Sequence, residues 1–235
     1  MKKNDVFRFK QFDVLHQINA QKVSTDSVLL GAWTDIEKSN TILDIGTGCG
    51  VLALMVAQRN LEAEIIAIEI EPSFAQEALA NFTNSRFAKR IHLLNEDVRN
   101  FNKKKFDHII CNPPYFSDSL KSDIDSRNKV RHDLNLSFES LAETCSKLMT
   151  MDGKISLVIP IARKPDLVKS FSTFELYLAR CCDIKHTIDS PVSLVLLEFQ
   201  TKKNELVSSS ELIIKNGNEF NNSYKQLLSD FLLVF

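Results

Sequence analysis

The chain has 235 residues, 44% hydrophobic and 25% charged, an ordinary globular balance with enough length for one sizeable core. Its 29 basic and 30 acidic side chains leave a formal net charge of -1, so overall basicity says nothing for or against nucleic acid, and such a partner needs a local positive patch. Five cysteines, Cys49, Cys111, Cys145, Cys181 and Cys182, form no C-x-x-C pair and match neither a zinc site nor a disulfide framework, which fits a reducing cytosol and no bound metal.

Residues 1–17 mix Lys, Arg and Asp with Phe and hold no unbroken apolar core, so they do not read as a signal peptide. No apolar run approaches the length of a membrane span. Further on, Ser24-Thr25-Asp26 offers an N-cap for a helix over residues 28–36. Strand-like and helix-like stretches then alternate, the pattern of a parallel sheet with crossover helices. Residues 41–45 read as a first buried strand and 50–59 as its helix, with an Ile-rich second strand at 64–69. Pro72 stands where an N1 proline belongs, and Phe74, Ala75, Ala78, Leu79 and Phe82 recur after it at helical spacing.

A short third strand follows at 91–95 and a fourth at 106–111, which stops at a Pro-Pro break. The polar stretch 117–135 has no clear periodicity, whereas Phe138, Leu141, Ala142, Cys145, Leu148 and Met149 mark an amphipathic helix that Gly153 is expected to end. Residues 154–160 predict a fifth strand and 164–171 a short helix. Residues 174–185 and 192–201 predict an antiparallel pair joined by a turn around Asp189-Ser190-Pro191. The tail combines a β-like stretch at 211–215 with a final aromatic run.

Two short runs carry chemistry. Gly46-Thr47-Gly48-Cys49-Gly50 closes the first strand and opens its helix, a place where the backbone can approach a nucleotide-like ligand because no Cβ intervenes and helix N–H groups point outward. The spacing is G-x-G-x-G rather than the dinucleotide G-x-G-x-x-G, and Asp44 just before it suits an ammonium group better than a pyrophosphate. Glu69, after the second strand, can accept both ribose hydroxyls, and Asp97, after the third, can accept from an adenine amino group. Taken singly, the glycines also read as a tight turn and the two carboxylates as solvated loop residues.

The second run, Asn112-Pro113-Pro114-Tyr115, follows the fourth strand. A planar amino group is a poor nucleophile because its lone pair is delocalised, and acceptors on its two hydrogens favour the tetrahedral nitrogen that attacks. The Asn112 side-chain oxygen and the Pro113 carbonyl can be those acceptors, the latter held by fixed proline φ angles, and Tyr115 offers a face for a stacked base. A Pro-Pro turn closed by a packed tyrosine is the plainer alternative for this run alone.

With both runs present, the chain resembles the class I S-adenosylmethionine-dependent methyltransferases whose Asn-Pro-Pro-Tyr motif methylates planar nitrogens, and within them the tRNA(Val) (adenine(37)-N6)-methyltransferases. The likeness rests on Phe7-Arg8-Phe9-Lys10-Gln11, the segment from Lys22 to Trp33, Leu43-Asp44-Ile45-Gly46-Thr47-Gly48, Asn112-Pro113-Pro114-Tyr115-Phe116, Arg131-His132 and Asp230-Phe231-Leu232. It implies an α/β, Rossmann-like, seven-stranded and mostly parallel sheet with helices on both faces and an antiparallel C-terminal hairpin. Residues 1–39 would be an extension covering the cofactor site and 40–235 the methyltransferase domain.

For the site, the resemblance implies S-adenosyl-L-methionine bordered by Thr25 and Asp26, its methionine part against Asp44, Gly46, Gly48 and Gly50, its ribose on Glu69 and its adenine on Asp97. Asn112, Pro113 and Tyr115 would serve the reaction, with Asn112 also touching the cofactor. The partner would be tRNA, bound by a cytoplasmic monomer with no metal and no membrane. Basic residues that can meet its phosphates are Arg127, Lys129 and Arg131 in the stretch after Tyr115, with Lys2, Lys3, Arg8, Lys10, Lys121, Lys202 and Lys203 as further candidates. Arg86, Lys89 and Arg90 read as solubility charge. The open alternatives are an amino methyltransferase on rRNA or DNA, a protein glutamine N5-methyltransferase, and a non-catalytic cofactor-binding scaffold. Ser24 and Ser27 stand where the resemblance leads one to expect glycines, and Glu71 where Asp is more usual.

Overall fold

A computed structural model describes residues 6–16, 23–113 and 136–235. Its centre is an eight-stranded sheet. In chain order the strands are β3 (Thr41–Ile45), β4 (Glu64–Ile68), β5 (Ile91–Leu94), β6 (Phe106–Cys111), β7 (Met149–Pro160), β8 (Tyr177–Lys185), β9 (Val192–Gln200) and β10 (Ser208–Ile213), arranged β10-β8-β9-β7-β6-β3-β4-β5. Seven of them form the expected sheet, with β9 antiparallel to both neighbours. The eighth, β10, extends the β-like stretch foreseen in the tail and pairs parallel to β8 at the edge.

The central strands β3, β4 and β6 are largely buried on both faces, which is why they read as unbroken apolar runs, whereas the edge strand β10 is mostly exposed. Along β6, Ile109 and Cys111 face one core while Ile110 faces the other, the period-two alternation of a strand. One face is covered by α1 (Thr25–Trp33), α2 (Val51–Arg59), α3 (Pro72–Thr83) and the late α6 (Asn222–Leu228), and the other by α4 (Phe138–Leu148) and α5 (Lys164–Thr173). Fully buried Leu29, Leu30, Leu54 and Met55 anchor the first layer, each worth roughly 1.5–3 kcal/mol of burial.

Near the N-terminus, β1 (Val6–Arg8) and β2 (Asp13–Leu15) form an antiparallel hairpin that the sequence pattern did not reveal. Its Phe9 and Phe12 stack at 4.5 Å between ring centroids and are buried in the first core. Asn81 of α3 fastens it: the side-chain oxygen accepts the Leu15 N–H at 2.8 Å, and Nδ2 donates to the carbonyls of Leu15 at 2.9 Å and Cys49 at 2.8 Å. The hairpin is thereby tied to the glycine loop. Lys10, a candidate for phosphate contact, donates instead to the Ser229 and Phe235 carbonyls at 2.5 and 2.8 Å, joining the hairpin to the tail.

Helix α1 begins where the Ser24 hydroxyl accepts the Ser27 N–H at 3.2 Å, so the expected cap is present but the helix ends at Trp33 rather than 36. Its far end is held by buried Glu198, whose carboxylate lies 3.0 Å from Arg180 Nη2 and 3.3 Å from Lys154 Nζ. The Arg180 guanidinium also stacks 3.7 Å from the Trp33 ring centroid and donates to the Trp33 carbonyl. Gly31 meets Met55, where an added Cβ would come within 2.8 Å of the sulfur. The absence of a side chain there lets α1 lie close on α2.

Two further expectations change. Gly153 does not end α4, which stops at Leu148; it lies inside β7 opposite a register shift in β6. A Cβ there would sit 2.9 Å from the Phe106 carbonyl oxygen, so this glycine permits close strand approach. Arg90 is not solubility charge either. Its guanidinium donates to the carbonyls of Ala57, Asn60 and Ala63 at 2.7 to 3.0 Å, closing the end of α2 where carbonyls lack helical partners.

Gly50 and Gly48 both have positive φ, +85° and +58°, but a Cβ on Gly50 would meet Phe82 at 2.4 Å while Gly48 opens to space. Gly48→Ala therefore incurs the left-handed backbone cost alone, about 1–2 kcal/mol, whereas Gly50→Ala adds overpacking of about 1–3 kcal/mol. At ~2–4 °C per kcal/mol, Gly50→Ala is expected to lower the melting temperature by roughly 5–15 °C and Gly48→Ala by clearly less. Equal shifts in thermal denaturation would refute this packing.

Candidate active site

The register of the parallel strands places the site. Ile45 pairs with Cys111 and with Ile68, and Ile68 with Leu94. The residues immediately following, Asn112, Gly46, Glu69 and Asn95, therefore stand in one row across the carboxyl ends of β6, β3, β4 and β5, about 4.8 Å apart from strand to strand. That edge is where open α/β sheets bind ligands.

The glycine loop turns over the end of β4. Gly46 and Thr47 donate their N–H groups to the Ile68 carbonyl at 2.9 and 3.1 Å, and Gly50 N–H returns to the Thr47 carbonyl at 2.8 Å. Gly46, Gly48 and Gly50 all have positive φ. Beyond their chain neighbours, no atom of the described residues lies within 4 Å of where a Cβ on Gly46 or Gly48 would stand, so among the described residues the loop backbone faces open space. Beside it Glu69, only 6% exposed, accepts the Gly48 N–H on Oε2 at 2.9 Å and the Glu71 N–H on Oε1 at 3.0 Å. Each carboxylate oxygen thus retains acceptor capacity while its position is set.

Asp44 is fully buried within β3. Its Oδ2 accepts the Thr47 hydroxyl at 2.5 Å, and its Oδ1 has no hydrogen-bond partner among the described residues. Burial pushes its pKa up to about 7; the Thr47 bond and the Ala53 backbone N–H at the start of α2 only partly offset this, and the neighbouring Glu69 charge adds to it. A lone buried acidic oxygen at a glycine loop is a place for a cation. Asp97 lies three residues beyond β5, half-buried, where both its oxygens engage Arg99 Nε at 2.9 and 2.8 Å. That pairing holds its carboxyl below the usual range.

Asn112 and Pro113 follow β6, the first half-buried and the second buried. Asn112 Nδ2 donates to the Ser27 hydroxyl at 2.8 Å, which draws the first turn of α1 to the row of strand ends. Thr25 and Asp26 occupy that same turn, Thr25 exposed and Asp26 half-buried. The expected cofactor residues on α1, β3, β4 and β6 therefore gather at one edge, with Asp97 at its margin.

Tyr115, Arg127, Lys129 and Arg131 lie outside the described residues. Lys202 and Lys203 follow β9, whose antiparallel course puts them at the opposite end of the sheet, where Lys202 pairs with Asp152 at 2.5 Å. Sequence reasoning missed Ser27, Thr47 and Asn95. Thr47 stands three residues after Asp44, a spacing that suits a local hydroxyl bond. Asn95 Nδ2 supports the Glu69 and Ile70 carbonyls at 2.7 and 3.2 Å. Among the described residues, no group of three or more His, Cys, Asp or Glu side chains could hold a metal ion, and no helix is long and apolar enough to cross a membrane.

A doubly covered sheet of order β8-β9-β7-β6-β3-β4-β5 with this loop is a methyltransferase fold. A predicted O-methyltransferase from Agrobacterium tumefaciens superposes with a TM-score of 0.72 over 88% of this chain and 96% of that one, at 21% identity. The family model of the methyltransferase small domain matches residues 6–174. A tRNA1(Val) (adenine(37)-N6)-methyltransferase from Bacteroides fragilis is 39% identical over 231 residues, 97% of each chain. One of the same name from Actinobacillus succinogenes is 38% identical over 239 residues, the whole of both. The chain belongs to the methyltransferase small domain family, in the company of these tRNA1(Val) (adenine(37)-N6)-methyltransferases.

The Asp44 carboxyl gives a test of the pocket without ligand. The native state keeps its proton up to about pH 7, whereas the unfolded chain releases it near pH 4. Its stabilising contribution is therefore complete at low pH and lost as pH rises through 7. Asp44→Asn stays neutral throughout, so its melting temperature relative to the parent is expected to rise by several degrees between pH 5 and pH 8. A constant difference would mean that Asp44 is not buried as described.

Proposed function

We propose that the protein transfers a methyl group from S-adenosyl-L-methionine to the N6 amino group of an adenine in the anticodon loop of a tRNA of the tRNA(Val) type. The observation that carries the reading is the row of strand ends, in which Asn112 stands one strand away from the glycine loop. The donor set suits this cofactor. The lone Asp44 oxygen can face its ammonium group, the open backbone at Gly46, Gly48 and Gly50 can lie along its methionine part, and Glu69 can accept its two ribose hydroxyls. Asp97 can accept from the adenine, and Thr25 and Asp26 in the first turn of α1 would close one side of the pocket.

S-adenosylmethionine supplies a methyl group on a sulfonium that needs no activation. The chain's task is then to present nitrogen. The Asn112 oxygen and the Pro113 carbonyl accept the two N–H bonds of the adenine amino group, drawing its lone pair out of the ring, and Tyr115 stacks on the base. These fixed dipoles act on charge that develops at the nitrogen, and the proton leaves afterwards. An anticodon-loop adenine is single-stranded, so it enters the pocket without the cost of opening a duplex. Arg127, Lys129 and Arg131 would meet the neighbouring phosphates, and the family likeness to curated tRNA enzymes supports that partner.

Incubation with labelled S-adenosylmethionine and separate pools of tRNA, rRNA, DNA and release factor should give N6-methyladenosine from tRNA alone. Label in another pool, or none in tRNA, would replace this substrate. Asn112→Ala is expected to keep the dissociation constant for S-adenosylhomocysteine within a few-fold while lowering turnover by about 100-fold or more. Asp44→Ala should weaken cofactor binding first. The opposite pattern in a binding titration would exchange the two roles.

A further inference from the structure

We infer that Ser27 is a positioning residue for Asn112, setting which end of its amide faces the methyl acceptor; this rests on the reading of Asn112 as an acceptor. A side-chain amide has a donor end and an acceptor end of nearly the same shape. Only the oxygen can receive an N–H from adenine, and a reversed amide would oppose two donors. Asn112 Nδ2 lies 2.8 Å from the Ser27 oxygen, which turns the carbonyl end away from α1.

The Ser27 oxygen is itself oriented. The Ser24 oxygen is engaged by the Ser27 backbone N–H at 3.2 Å as the N-cap of α1, so its hydroxyl proton points on to the Ser27 oxygen, 3.3 Å away. Ser27 is 8% exposed, which keeps water from competing for the amide. The Ser27 oxygen therefore receives the Ser24 proton and an Asn112 Nδ2 proton together, and toward the amide it acts as an acceptor. An acceptor on the amide nitrogen also raises the negative character of its oxygen, since linked hydrogen bonds polarise one another. Both effects act on the bond that strengthens as the acceptor nitrogen becomes tetrahedral.

The test compares Ser27→Ala, Ser27→Gly and Ser27→Thr in the full chain, with tRNA as acceptor and labelled S-adenosylmethionine as donor. Loss of one neutral hydrogen bond corresponds to a decrease of about 3- to 10-fold. That decrease is expected in kcat for Ser27→Ala and Ser27→Gly, with KM for tRNA and affinity for S-adenosylhomocysteine unchanged; the melting temperature stays unchanged in Ser27→Ala and falls in Ser27→Gly only by the cost of a glycine within α1, while Ser27→Thr retains most of the rate. Unchanged kcat in both hydroxyl-free variants would overturn the inference. So would a fall in kcat of Ser27→Ala that tracks lost cofactor affinity or a lower melting temperature, because that is the mark of a role in holding α1 alone. A parent protein that methylates no tRNA would remove the reading of Asn112 and this inference together, whereas an active parent with indifferent variants would remove only the inference.

Discussion

Parallel pairing between β6, β3, β4 and β5 is the constraint on which the site depends. Each strand in such a ladder must end at the same edge, and the pairings Cys111 with Ile45, Ile45 with Ile68 and Ile68 with Leu94 fix how far each reaches. A slip of one residue would turn every side chain to the other face, sending Ile110 out of one core and Ile109 out of the other. Burial on both faces thus sets the register. The register then delivers Asn112, the glycine loop and Glu69 to neighbouring positions.

Around that row the structure spends polar groups on holding things still. Asn81 joins the N-terminal hairpin to the Cys49 carbonyl, Glu69 receives two backbone N–H groups, and Ser27 receives the Asn112 amide. Asp44 is the exception. It is sealed from water with one oxygen unpaired, an arrangement that costs stability unless a positive group arrives.

Much of this was legible in the sequence because the signals are local. Apolar runs ending in glycines or prolines located β3 and β6, Pro72 marked the start of α3, and the turn at Asp189-Ser190-Pro191 joined β8 to β9. What was not legible depends on distant contacts. The β1–β2 hairpin is only six residues of strand, stabilised by stacking of Phe9 on Phe12 and by Asn81, and nothing in its own pattern announces it. Gly153 looked like a helix stop because a glycine after an amphipathic stretch normally is one, yet the carbonyl of Phe106 decides its role. Ser27 and Asn112 are 85 positions apart, so no spacing rule could join them, and Arg90 reads as surface charge until the end of α2 is seen beside it.

The central claim is that a single crevice at the strand ends holds both the donor and the nitrogen to be methylated. A crystal structure with bound S-adenosylhomocysteine tests it most directly. The account predicts the ligand's amino group on Asp44, its ribose hydroxyls on Glu69 and its sulfur directed toward Asn112. A ligand seated elsewhere, or one whose sulfur points away from β6, would contradict it.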